Sequence, residues 1–209
     1  MKGLLVSSGN KINKELLEKY GRDSFIVCAD GGIKNFVGTD IIPDAVVGDF
    51  DSIDKEGLKF IKDNKIAVEK YPSEKDFTDT EAALNILLEQ GVDDLVILSA
   101  TGTRMDHTLS NMLLLEGLYT KIKSVIIDDN NEIYYVKKGV YSYAKNGFKY
   151  ISVIPISEEL EYSTKGLKYE TNHLIIKKYP IGGVSNEILK DSCTIEVHRG
   201  EGFIIKSKD

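Results

Sequence analysis

Ala45-Val46-Val47-Gly48-Asp49-Phe50-Asp51-Ser52 decides how the first part of the chain is read. The short apolar run has the length and β-branching of a buried strand. It breaks at a glycine followed by two carboxylates. The same grammar lies upstream, where the apolar Phe25–Ala29 runs into Asp30-Gly31-Gly32 and a short helix toward Val37. Further out, Lys2–Ser7 reads as a strand and Ile12–Tyr20 as an amphipathic helix, with Ser8-Gly9-Asn10 turning between them. Downstream come a helix over Lys55–Asn64 and a strand over Ile66–Tyr71, closed by Pro72 because proline donates nothing to a ladder. Thr78-Asp79-Thr80-Glu81 fits a capping box, Ala83, Leu84, Leu87 and Leu88 form one apolar face, and Gly91 stops that helix. A strand over Leu95–Leu98, a helix over Met105–Tyr119 with Leu109, Met112, Leu113 and Leu118 inward, and a strand over Ser124–Ile127 complete the series. Strands alternating with helices predict βαβ units and an α/β, mainly parallel, Rossmann-like sheet.

From Asn130 the pattern changes. Glu132–Lys137, Val140–Tyr143, Tyr150–Ile154, Tyr162–Thr164, Leu174–Lys178, Thr194–Val197 and Phe203–Lys206 are short β-branched or aromatic runs, mostly separated by turn residues. They predict a small antiparallel β-sandwich. Composition divides at the same place: of 17 Asp, 15 lie in residues 1–129, and of 11 Tyr, eight lie in residues 130–209. Two domains, 1–129 and 130–209, are expected. The tyrosines between Tyr134 and Tyr150 read as sheet packing rather than a stacking platform.

The 209 residues carry a net charge of −6, the opposite of the basic stripe that a nucleic-acid binder needs. No apolar run is long enough to span a bilayer, the N-terminal run is too short for a signal peptide, and Cys28 and Cys193 match no metal or redox spacing. A cytoplasmic location is expected. The chain has no Gly-Lys dipeptide, hence no Walker loop, and no G-x-G-x-x-G, H-E-x-x-H or Cys-x-x-Cys.

What remains is acidic. In open α/β sheets ligands bind at the carboxyl ends of the parallel strands. That rule puts Asp30, Asp49, Asp51, Asp76, Asp79, Arg104 and Asp106 on one edge. Taken singly, an Asp at a strand–helix junction reads first as a helix cap, and Asp23 and Asp54 are left to that reading. Together they ask for a cation, since two carboxylates ~4 Å apart repel by about 4 kcal/mol at an effective dielectric of 20. Hard carboxylate oxygens suit Mg²⁺, which in turn carries substrate phosphates. Gly31 and Gly32 let backbone N–H groups approach phosphate. Arg104, one of three arginines beside 24 lysines, reads either as a bidentate phosphate fork or as the partner of Asp106. His107 opens its helix and serves equally as a packing group or a ligand contact.

Ala29-Asp30-Gly31-Gly32, Val47-Gly48-Asp49-Phe50-Asp51-Ser52, the run from Asp76 to Leu84 (Asp76-Phe77-Thr78-Asp79-Thr80-Glu81 and onward) and Gly102-Thr103-Arg104-Met105-Asp106-His107-Thr108-Leu109 together resemble the ordered motif set of the thiamine pyrophosphokinases. Gly166-Leu167-Lys168-Tyr169 and Gly183-Val184-Ser185-Asn186-Glu187 resemble that family's C-terminal motifs, with Glu170 standing where a Pro is more usual. The resemblance implies an ATP·Mg²⁺-binding α/β domain, a thiamine-binding and dimerisation β-sandwich, and a homodimer with thiamine held between subunits. It implies a transfer of pyrophosphate from ATP to the thiamine hydroxyl, releasing AMP. On that basis Asp49, Asp51, Asp76 and Asp79 are expected at Mg²⁺. Asp30, Gly31, Gly32, Thr78, Gly102, Arg104 and His107 are expected along ATP, and Ser185 and Asn186 at the aminopyrimidine. Asp79 or Asp106 is expected to accept the hydroxyl proton. Rival readings are a pyrophosphokinase for another alcohol such as a pterin, a simple kinase yielding ADP, and a non-catalytic nucleotide sensor.

Overall fold

The computed structural model describes residues 1–72, 74 and 76–209 and divides the chain into two compact units, Met1–Asp129 and Asn130–Asp209. The first unit contains β1 (Lys2–Val6), α1 (Lys14–Gly21), β2 (Phe25–Ala29), a 3-10 helix (Asp30–Asn35), β3 (Ala45–Gly48), α2 (Lys55–Asp63), β4 (Ala67–Lys70), α3 (Asp79–Glu89), β5 (Asp94–Leu98), α4 (Met105–Leu118) and β6 (Lys123–Ile127). Its strands pair in the order β6-β5-β1-β2-β3-β4, all parallel. The helix starts follow from side-chain caps. Asn13 accepts from Glu15 N, Asp54 from Gly57 N, and Thr78 and Glu81 form the expected reciprocal box. Past Gln90, Gly91 takes φ +77°, the left-handed stop that glycine supplies without strain. Leu4, Val6, Ile26, Cys28, Val46 and Leu98 from the sheet pack with Leu17, Phe36 and Ile61, each burial contributing about 1.5–3 kcal/mol.

One expectation fails. Leu109 and Leu113 of α4 are exposed together with Met105, while Asn111, Leu115 and Leu118 are buried. The run Met112-Leu113-Leu114-Leu115 is apolar in every direction, so periodicity cannot phase this helix. A polar residue does: Asn111 Nδ2 donates to Ala100 O at 2.8 Å in a buried bond.

The second unit contains β7 (Asn131–Val136), β8 (Gly139–Ala144), β9 (Tyr150–Pro155), β10 (Glu159–Lys165), β11 (Leu174–Lys177), β12 (Asn186–Glu187), β13 (Ser192–Arg199) and β14 (Gly202–Ser207). Strands β12-β9-β14-β7 and β11-β10-β13-β8 form two antiparallel arrangements. Leu160, Tyr162, Ile195, Val197, Val153 and Ile204 are buried in its core. Tyr134 and Tyr143 lie with ring centroids 4.9 Å apart, as sheet packing requires. Lys206, 2% exposed, donates to Glu132 Oε2 at 2.7 Å, and Tyr134 Oη donates to the same oxygen at 2.7 Å.

Candidate active site

β1 lies between β2 and β5. The chain therefore leaves β1 to one side and returns on the other at β5, the strand order at which open α/β sheets place their ligands. The loops after these two strands are tied together. Gly9 N donates to Ser99 O at 2.7 Å, Asn10 N donates to Thr101 O at 2.8 Å, and Lys34 Nζ donates to Gly9 O at 2.6 Å. A Cβ at Gly9 would stand 2.3 Å from Thr101 O, so only glycine permits this approach. Ser7 Oγ and Thr80 Oγ1, 3.1 Å apart and buried, join the end of β1 to the first turn of α3. Asn35 receives Ile12 N on Oδ1 and donates Nδ2 to Gly32 O, which fixes the 3-10 helix behind β2. Ser7, Gly9, Lys34 and Asn35 carry no motif signal as single residues. Their roles follow only from strand order.

The acidic residues converge after the neighbouring strands β2 and β3. β2 and β3 are paired with Ala29 opposite Val47, so Asp30, which follows Ala29, and Asp49, which follows Gly48, leave adjacent strand ends. One oxygen from each of Asp30, Asp49 and Asp51 lies within 4.8 Å of the others. Asp30 is only 6% exposed. Its Oδ2 accepts from Ser52 Oγ, and its Oδ1 is buried with no hydrogen-bond partner among the described residues. Asp49 Oδ1 accepts from Asp51 N at 3.3 Å. The negative charge of Asp49 is the main reason that Asp51's carboxyl is pushed above the usual carboxylate range, with Asp30 and Asp79 adding to it. A buried carboxylate with one orphaned oxygen, belonging to an all-oxygen, all-anionic set, fits a hard divalent cation. The sequence reading places Asp30 along the nucleotide. The structure brings its carboxylate into the metal-competent group, a signal available once β2 and β3 are known to be neighbours.

Asp79 opens α3, close enough for its charge to act on Asp51, and Thr78 is spent as that helix's cap. Asp76 is exposed in the preceding loop, outside the three-carboxylate group. Gly32 is buried where a Cβ would meet Val6 O and Ser7 O at 2.6 Å, and a Cβ on Gly31 would stand 3.2 Å from Ser52 Oγ. Gly102 N donates to Thr108 Oγ1 at 3.1 Å, closing the turn into α4. Arg104 and Asp106 form a forked pair (Nη2–Oδ2 2.6 Å, Nε–Oδ1 3.3 Å), both well exposed. The guanidinium bond holds Asp106's carboxyl at about 2, so this carboxylate is a weak proton acceptor. His107 is exposed in the first turn of α4.

In the second unit, Ser185 has φ +58° and donates its backbone N–H to Ser152 Oγ. Asn186 binds Tyr169 twice, Tyr169 N to Oδ1 at 3.1 Å and Nδ2 to Tyr169 O at 2.8 Å. That amide thus joins the two C-terminal motifs. Glu170 Oε1 accepts from Gly166 N at 2.7 Å and closes the intervening turn from within.

The fold and the sequence are shared with known proteins. Residues 17–127 match the family described as thiamin pyrophosphokinase, catalytic domain, and residues 139–203 match thiamin pyrophosphokinase, vitamin B1 binding domain. A thiamine pyrophosphokinase of Bacillus subtilis is 37% identical over 183 residues, 86% of either chain. The crystal structure of a B. subtilis thiamine pyrophosphokinase superposes with a TM-score of 0.90 at 32% identity, covering all of both chains. That of the Geobacillus thermodenitrificans enzyme gives 0.89 at 29% identity, covering all of this chain and 98% of the other. The mainly parallel α/β unit, the antiparallel β unit and both sets of motifs lead to one conclusion: the chain belongs to the thiamine pyrophosphokinase family.

Proposed function

We propose that the protein is an ATP-dependent thiamine diphosphokinase that moves the pyrophosphoryl group of ATP to the hydroxyl of thiamine. The hydroxyl oxygen attacks the β-phosphorus, the bond from that phosphorus to the α-bridging oxygen breaks, and AMP leaves with the electron pair. The observation that carries this reading is the group of Asp30, Asp49 and Asp51 at the strand ends of a chain in this family.

Asp30, Asp49 and Asp51 would hold Mg²⁺, with Asp79 and Asp76 anchoring its water. The bound ion would neutralise charge on the phosphate oxygens. The chain's own part is positioning. The turns at Gly31-Gly32 and Gly102 present backbone to the phosphates, and Arg104 swings between Asp106 and a phosphate oxygen, both of which suit its fork. Asp79, at the start of α3 and near enough for its charge to act on Asp51, is the proposed acceptor of the thiamine proton. Ser185 and the loop braced by Asn186 receive the aminopyrimidine. Exposed Tyr169, Tyr179, Ile181, Val184 and Leu189 supply apolar surface for a homodimer. Two free, buried cysteines suit the reducing cytoplasm. Among the described residues no helix is long and apolar enough to cross a membrane.

³¹P NMR of the protein with ATP, Mg²⁺ and thiamine tests the reaction. AMP and a diphosphate ester are expected. ADP, or no product, overturns the assignment, and turnover of a pterin alcohol in place of thiamine reassigns the acceptor.

A further inference from the structure

Ser52 follows the two carboxylates of its loop and plays no part in the chemistry above. Its hydroxyl donates to Asp30 Oδ2, whose carboxylate belongs to a different strand end. Two features keep that bond in place. Asp30 itself is left-handed, at φ +42°, a conformation in which Asp is among the better-tolerated non-glycine residues. Gly31 and Gly48 leave room on either side of the bond: a Cβ at 31 would stand 3.2 Å from Ser52 Oγ, and one at 48 would stand 3.0 Å from Asp30 Cβ. Phe50, at φ +68° and packed against the core, sets the course of the loop that carries Asp49, Asp51 and Ser52. One side chain therefore couples both halves of the acidic group. It reaches Asp51 through the peptide bond and Asp30 through the hydroxyl.

We propose that Ser52 is a positioning residue for the divalent-cation site, its hydroxyl occupying Asp30 Oδ2 so that the buried Oδ1 stays aimed at the space shared with Asp49 and Asp51. A neutral donor suits this task. It fixes the carboxylate without the charge that a Lys or Arg would set against the cation. The proposal rests on the metal reading above. Without the bond, Asp30 is free to rotate about its terminal torsion, and the pre-arranged third ligand is lost.

The test is titration of the metal-free, full-length protein with Mn²⁺, free ion being read by electron paramagnetic resonance in the absence of nucleotide. Ser52→Ala is expected to weaken Mn²⁺ binding about tenfold or more, as loss of an outer partner does at other metal sites. Ser52→Thr, which keeps the hydroxyl, is expected to bind within about twofold of wild type. Ser52→Cys keeps the volume with a weaker donor, and carries the same expectation of loss should the alanine variant not fold. In assays, the Mg²⁺ concentration for half-activity should rise in Ser52→Ala while the rate at saturating Mg²⁺ recovers. A merely structural serine would lower Tm and leave Mn²⁺ affinity unmoved. Unchanged affinity in Ser52→Ala, beside lost binding in Asp51→Asn, overturns this proposal alone. Wild-type binding by Asp51→Asn overturns the metal reading beneath it.

Discussion

Each unit of the molecule buries a carboxylate, and the two are furnished in opposite ways. Glu132 in the second unit has its cation built in: Lys206 Nζ and Tyr134 Oη both meet Oε2 at 2.7 Å, and Lys206 lies over the Phe148 ring. Asp30 in the first unit has a serine hydroxyl on one oxygen, no hydrogen-bond partner among the described residues on the other, and two further carboxylates nearby. A buried anion that is paired internally is part of the fold. One that is left facing other anions costs stability in the isolated chain, and that cost is recovered only when a cation arrives. The difference is the physical basis for reading Glu132 as a structural carboxylate and proposing Asp30 as a functional one.

The largest expected break in the comparison is on the functional side. Asp51→Asn should lower turnover by about a thousandfold or more, in line with the loss of a preorganised charge-stabilising group, while circular dichroism and Tm stay at wild-type values or rise. Steady-state rates with ATP and thiamine measure it, and near-normal turnover would remove Asp51 from the site. On the structural side, Lys206→Ala should cost about 3–5 kcal/mol in urea unfolding, because Glu132 is left buried without its counter-ion. The pair Glu132→Gln with Lys206→Met should recover most of that loss, and specific activity per folded molecule should be unchanged in both.

How much of this was legible beforehand depends on the kind of information needed. Local signals were readable: the Thr78–Glu81 box, the stop at Gly91, the Pro72 strand end and the turn of pattern at Asn130 are all decided within a few residues. Asp49 and Asp51 were readable as a pair because they share one loop. Asp30's nearness to them is not legible, because it arises from the pairing of neighbouring strands, which no sequence spacing records. The phase of α4 was lost for a related reason. Four consecutive apolar residues carry no phase, and the deciding bond runs from Asn111 to a carbonyl in another segment. Ser52 and Asn186 stand in motifs that the sequence shows, but their bracing contacts to Asp30 and Tyr169 are legible only in the structure.

Smaller perturbations sharpen the contrast by sign. Asp30→Asn keeps the shape and the left-handed backbone but removes a buried charge from an anionic group. The metal-free protein should gain about 1–2 kcal/mol, roughly 3–6 °C in Tm for a chain of this size, and should lose the further rise that Mg²⁺ gives wild type. Glu132→Gln removes a charge that is already paired, so it should destabilise whether or not Mg²⁺ is present. Scanning calorimetry of the two variants with and without Mg²⁺ reads both signs, and equal signs would dissolve the distinction drawn between them.

The smallest effect concerns acid. In the second unit Glu201 accepts from Tyr135 Oη at 2.8 Å and pairs with Lys137 at 3.1 Å, and these two contacts hold its carboxyl below the usual range. A carboxyl depressed in the folded state binds fewer protons there than when unfolded. It therefore contributes stability above the unfolded value of about 4.3, and this is lost as pH falls through the lower folded value. Glu201→Gln should leave the unfolding midpoint shallower in its fall below pH 5 and slightly lower at pH 7. The first unit's acidic group runs the other way. Asp51's carboxyl is raised by Asp49, so the metal-free wild type should be relieved, not strained, by mild acid at that site. Urea midpoints of wild type, Glu201→Gln and Asp51→Asn between pH 4 and 7 resolve the two slopes, since Glu201→Gln should flatten the profile and Asp51→Asn should steepen it.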